Sequence, residues 1–130
     1  MRAYPGRWPL LATLALAAAL APSLALAHGS MKPRHGGTVS EAGETVVELV
    51  READGIALYL SDEDEPVPSA GMAGTLTVKG PGAPVEVALA PGAANRLEAK
   101  GAKVPAGAEV TVMLLDQATR AKSFTTFAVK

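Results

Sequence analysis

Beyond residue 43 the chain alternates apolar and polar residues at a period of two, the pattern of strands that bury one face. Glu44–Arg51 places Val46, Glu48 and Val50 on one face and Val47 and Leu49 on the other. Gly55–Leu60 places Ile56, Leu58 and Leu60 on one side, with Tyr59 opposite. The Asp54-Gly55 pair between these runs signals a hairpin, because both residues tolerate the positive φ of tight turns. Leu76 and Val78 alternate with Thr75, Thr77 and Lys79, and Val85, Val87 and Leu89 alternate with Glu86 and Ala88. Glu109–Asp116 and Ser123–Val129 continue the pattern. Within the Ala-rich stretch Ala90–Ala106, Asn95–Lys100 reads as an edge strand, since Pro91, Gly92 and Gly101 bracket it too tightly for a helix.

The breaks consist of strand-stopping residues: Pro66-Val67-Pro68, Gly80-Pro81-Gly82, Pro91-Gly92 and Pro105-Ala106-Gly107. Strands at such intervals predict an all-β domain over residues 38–130, an antiparallel β-sandwich of Ig-like or Greek-key type with about seven short strands. The pattern contains no coiled-coil heptad and no internal repeat.

The first 27 residues follow a different logic. Arg2 and Arg7 precede an apolar run from Leu10 to Leu20, and Ala25-Leu26-Ala27 supplies the small-x-small pattern that a signal peptidase accepts. Pro22 and Ser23 interrupt the segment, which barely reaches the ~20 residues a spanning helix needs. The expectation is a signal peptide over residues 1–27, cleavage after Ala27, a periplasmic location and no membrane span in the mature protein. Residues 28–37 carry no apolar period and are expected to form a flexible arm.

Cleavage changes the composition that matters. The full chain has 12 Lys and Arg against 13 Asp and Glu, and both Arg2 and Arg7 lie in the signal. The mature part is therefore net acidic, which argues against a nucleic-acid partner. Its aromatic residues are Tyr59, Phe124 and Phe127 alone, and there is no cysteine, so stability must come from packing rather than disulfides. Catalytic groups are scarce, with both histidines in the arm and no phosphate-binding glycine loop. The expectation is a protein that is not an enzyme.

The arm carries the concentrated chemistry. After cleavage His28 would offer its α-amine and imidazole to one metal ion, His35 a second imidazole, and Met31 a soft thioether suited to Cu(I). The glycines around these residues let the arm fold about an ion. Against this reading, Lys32 and Arg34 repel a cation, and the third mature position carries no histidine, as an amino-terminal copper motif would require. The acidic run Asp62–Glu65 is a second, weaker candidate, for Ca²⁺, but it lacks the spaced carboxylates of a calcium loop. A solvated turn is its simpler reading.

His35-Gly36-Gly37 ahead of a Val-rich strand, Glu48-Leu49-Val50, Leu58-Tyr59-Leu60-Ser61-Asp62, Pro66-Val67 and Gly74-Thr75-Leu76-Thr77-Val78 together resemble a type of small periplasmic domain. Such domains occur beside heavy-metal and copper efflux genes and within some efflux adaptor subunits. The resemblance spans Gly36 to Val129 and implies a β-sandwich in a metal-homeostasis setting. A weaker resemblance is to CopC-type copper-resistance proteins, whose mature chain also begins with histidine, but their later histidine ligand has no counterpart beyond His35. The expected function is binding or delivery of a transition metal, copper as Cu(I) or Cu(II) first, through His28, His35 and Met31. The alternative is a module that docks on an efflux adaptor or another envelope protein without binding metal.

Overall fold

The computed structural model describes residues 30–130, together with the isolated Gly6. The expected signal peptide (Gly6 apart) and His28 lie outside the described residues. Nine strands form: β1 Thr38–Ala42, β2 Thr45–Glu52, β3 Gly55–Asp62, β4 Glu65–Pro66, β5 Met72–Lys79, β6 Val85–Pro91, β7 Arg96–Lys100, β8 Glu109–Asp116 and β9 Lys122–Ala128. All pair antiparallel, in the order β1-β2-β3-β7-β6-β5-β8-β9, with β4 attached to β3. No helix occurs among the described residues, and so none there is long and apolar enough to cross a membrane.

The alternation works as the pattern predicts. Val47 and Leu49 of β2 face inward opposite Leu60 and Leu58, and Leu58 continues the row to Leu97 of β7. In the other half Leu76 lies between Val87 and Val112, and Val110 lies opposite Phe127. These side chains form one core in which Leu58, Leu60, Leu76, Leu97, Leu114 and Phe127 are fully enclosed. Burying each contributes about 1.5–3 kcal/mol, which is how a domain without disulfides holds together.

Two features close the sheet almost into a barrel. Val85–Leu89 of β6 pairs with β5, whereas Ala90 and Pro91 pair with β7, so one strand joins both halves. At the opposite side β1 packs beside β9 without a backbone ladder, and the hydroxyls of Ser40 and Thr125 hydrogen-bond across the seam. The seam opens into a hollow of about 550 Å³ between Gly36–Thr38 and Ala128–Lys130.

Three local findings differ from the sequence expectation. Strand β7 is not at an edge: it lies between β3 and β6, and its Leu97 and Ala99 are fully buried. The β2–β3 hairpin turns at Ala53-Asp54, while Gly55 is already the first residue of β3. Gly55 has φ +155°, as glycine beside a tight turn allows, and a side chain there would also collide with the Ala99 carbonyl of β7, so glycine serves strand packing as well as the turn. The added strands are β1, which pairs along its length with β2, and the two-residue β4.

Candidate functional site

The outer face of β2, β3 and β7 carries a cross-strand row, Glu48 opposite Tyr59 and Tyr59 opposite Arg96. A carboxylate at the centre of a Val- and Leu-rich strand is expected on an open, solvated face. Here it is only 5% exposed, because the segment Arg34–Gly37 folds over it.

Glu48 organises that segment. Its Oε1 accepts the backbone N–H of Arg34 at 2.8 Å and faces His35 Nδ1 at 3.1 Å. Its Oε2 accepts the backbone N–H groups of His35 at 2.7 Å and Gly37 at 2.9 Å. Successive backbone N–H groups turned toward one anion make a nest. Burial pushes the Glu48 carboxyl up, but the N–H groups of Gly37 and Arg34, the His35 ring and the His35 N–H outweigh it. The net result lies below the ordinary carboxylate value.

The two glycines make this turn possible. Gly36 has φ +71°, a conformation that a side chain disfavours. Gly37 lies so close to β2 that a Cβ would collide with the Leu49 carbonyl oxygen and stand 2.9 Å from Val50 Cγ2. The His-Gly-Gly sequence therefore wraps an internal anion. Residues expected as part of a flexible arm are tied to the sheet at this end.

His35 is held on a second side as well. Its ring stacks on Tyr59 with centroids 3.6 Å apart and planes 4° from parallel. The Tyr59 hydroxyl accepts from Arg96 Nη1 at 2.8 Å, and the Arg96 guanidinium lies 5.6 Å from the ring centroid. Arg96 in turn binds Glu52 through both terminal nitrogens, at 2.6 and 2.5 Å, and Glu98 through Nε at 3.0 Å. Hydrogen bonding to Arg96 holds the Glu52 carboxyl below its ordinary value, and the same two carboxylates raise the guanidinium further.

The acidic turn has a structural role. Glu63 and Asp64 both have positive φ, 46° and 68°, at the tip of the β3–β4 hairpin. Asp64 accepts from the Ser30 N–H at 2.7 Å and from Arg34 Nη2 at 3.2 Å, and its carbonyl accepts from Arg34 Nη1. One member of the run proposed for Ca²⁺ is thus engaged with the arm.

Between arm and sheet lies a cleft of about 90 Å³ lined by Ser30, Lys32, Arg34, His35, Tyr59, Ser61 and Asn95, among others. The His35 side chain is 40% exposed there, and its Nε2 makes no hydrogen bond among the described residues. Met31, the second proposed ligand, is exposed and does not line the cleft. His28, the first, lies outside the described residues. Among the described residues no three His, Cys, Asp or Glu side chains converge as a metal-binding group. Sequence reading identified His35 but missed Glu48, Tyr59 and Arg96. The available signal was a lone carboxylate between Val47 and Leu49, downstream of a His-Gly-Gly.

No protein-family model, curated protein or solved structure matches this chain.

Proposed function

We propose that the mature chain is an exported, non-enzymatic β-sandwich protein of metal homeostasis that binds or delivers a transition-metal ion, copper first. The observation that carries this reading is the His35 imidazole, held in place at the mouth of a cleft with Nε2 making no hydrogen bond among the described residues. Imidazole nitrogen suits Cu(II), Ni(II) and Zn(II), and a thioether suits Cu(I). The donor set fits such an ion: His35 from the docked segment, with His28 and Met31 supplied by the arm. The charge objection is weakened because Arg34 is paired with Asp64. A site with one fixed donor and others on the arm would release its ion readily, as delivery to a partner requires. The test is a Cu(II) titration of the exported protein, followed by calorimetry and electron paramagnetic resonance. It is compared with a His28→Ala, His35→Ala double variant. Loss of the high-affinity step in the variant is expected; equal affinities would refute the reading.

The second reading is a docking module for an efflux adaptor or envelope protein, without metal. Phe124 on the terminal strand β9 favours it, being 62% exposed on the outer face beside Met113. Under this reading Phe124→Glu abolishes co-purification with the adaptor, and neither the wild-type protein nor the variant takes up metal.

A further inference from the structure

We infer that Glu48 is a positioning residue that fixes the His35 ring as its Nδ1–H tautomer and thereby makes Nε2 the atom offered to a metal ion. The role of Nε2 rests on the metal-binding reading above; the tautomer rests on hydrogen-bond geometry alone.

Each oxygen of Glu48 faces two nitrogen atoms. Oε1 has the Arg34 N–H and His35 Nδ1, and Oε2 has the N–H groups of His35 and Gly37. Three of the four are backbone amides, which can only donate. Three backbone N–H groups converge on one carboxyl, one on Oε1 and two on Oε2, and that many amide donors favour the anion over the acid, so the group sits there as a carboxylate. A carboxylate only accepts, and Nδ1 at 3.1 Å must therefore carry the hydrogen. In the neutral ring the lone pair is then on Nε2.

The stack on Tyr59 fixes the plane in which that lone pair lies. Flipping the ring by 180° about χ2 would keep the stack but break the bond to Glu48. The two contacts together leave one orientation. A carboxylate hydrogen-bonded to the far nitrogen of a metal-binding imidazole fixes its tautomer and raises its basicity, and losing such a partner typically costs 10–100-fold in metal affinity. The backbone of the same residue also donates to Glu48, so ring and main chain are aligned by one anion.

The experiment uses the exported protein labelled with ¹⁵N. Long-range ¹⁵N–¹H correlation spectra at about pH 8, well above the ordinary histidine range, read the His35 tautomer without metal. The expected spectrum shows a protonated Nδ1 and a bare Nε2. A Zn(II) titration, chosen because zinc is diamagnetic, should then shift Nε2 rather than Nδ1. Glu48→Gln should lose the tautomer preference and weaken zinc binding about 10–100-fold. Glu48→Asp keeps the charge but shortens the reach, and should fall between. A wild-type His35 ring protonated at Nε2 overturns the inference whatever the metal result, and needs no variant to fold. Equal zinc affinity of folded wild-type and Glu48→Gln protein overturns it too. An Nδ1–H ring in a protein that takes up neither zinc nor copper supports the positioning and overturns the functional reading instead.

Discussion

Replacing Gly37 by alanine tests how the arm is held. The added Cβ would collide with the Leu49 carbonyl and crowd Val50 Cγ2, both on β2, so the chain at residue 37 must lift away from the strand. The first loss is the Gly37 N–H bond to Glu48, and a hydrogen bond to a charged acceptor is worth about 1.5–3 kcal/mol. If the lift reaches residues 34 and 35, their bonds to the same carboxylate weaken too, while water entering beside Glu48 offsets part of the cost. The expected destabilisation is about 2–4 kcal/mol, or roughly 10–25 °C in Tm for a domain of this size. Gly36→Ala is the internal control. At φ +71° it has open space around a Cβ, so it pays only the backbone penalty, about 1–2 kcal/mol. Urea titrations followed by far-ultraviolet circular dichroism measure both. A Gly37→Ala protein no less stable than Gly36→Ala would refute the idea that close approach to β2 anchors the segment.

Further outcomes follow from the same structure. Phe127→Ala should lose about 3–5 kcal/mol in the same assay, because the ring is 2% exposed and fills the space between the two halves. Tyr59→Phe should cost about 1 kcal/mol through the lost bond to Arg96. Tyr59→Leu should cost a further ~0.5–1.5 kcal/mol and abolish the upfield ring-current shift of the His35 protons in NMR spectra. The Glu52 carboxyl is depressed below its ordinary value of 4.5 in the folded protein, so the ion pair with Arg96 contributes stability that is present above about pH 4.5 and lost as pH falls through the lower folded value. Stability curves of wild-type and Glu52→Gln protein should therefore differ at neutral pH and converge in acid.

Much of the strand content is legible in the sequence, because β2, β3, β5 and β8 each carry at least two inward apolar residues at period two, and in β9 Phe127 is followed two residues later by the buried Val129. Strand β1 is not, since Thr38–Ala42 has a single valine; it is extended because β2 offers a free ladder beside it. Strand β7 has only Leu97 and Ala99 facing inward, which resembles an edge. Its interior place comes from pairing with β3, more than thirty residues earlier. The site divides in the same way. His35 stands out by its chemistry, whereas Glu48 looks like an ordinary solvated residue on an outer face. What buries it is a segment 11–14 residues upstream, brought there by two glycines whose backbone requirements the alternation pattern does not register.

The way the two halves are joined has a consequence for how the molecule breathes. Among the described residues the sheet ladder joins them through Ala90 and Pro91 of β6, with the Gly92 N–H donating to the Arg96 carbonyl and the Ser69 N–H to the Ala94 carbonyl nearby. Side chains close the opposite side, Ser40 to Thr125 and Arg51 to the Lys130 carbonyl. Cooperativity between the halves is therefore carried more by the shared core than by the narrow ladder at β6. Amide hydrogen exchange can resolve them as separate opening units, with the core as their common limit. The row Glu48, Tyr59 and Arg96 belongs wholly to the unit of β1, β2, β3 and β7. A ligand at His35 would tighten that unit first and reach β5, β8 and β9 only through Leu58, Leu97 and their packed neighbours.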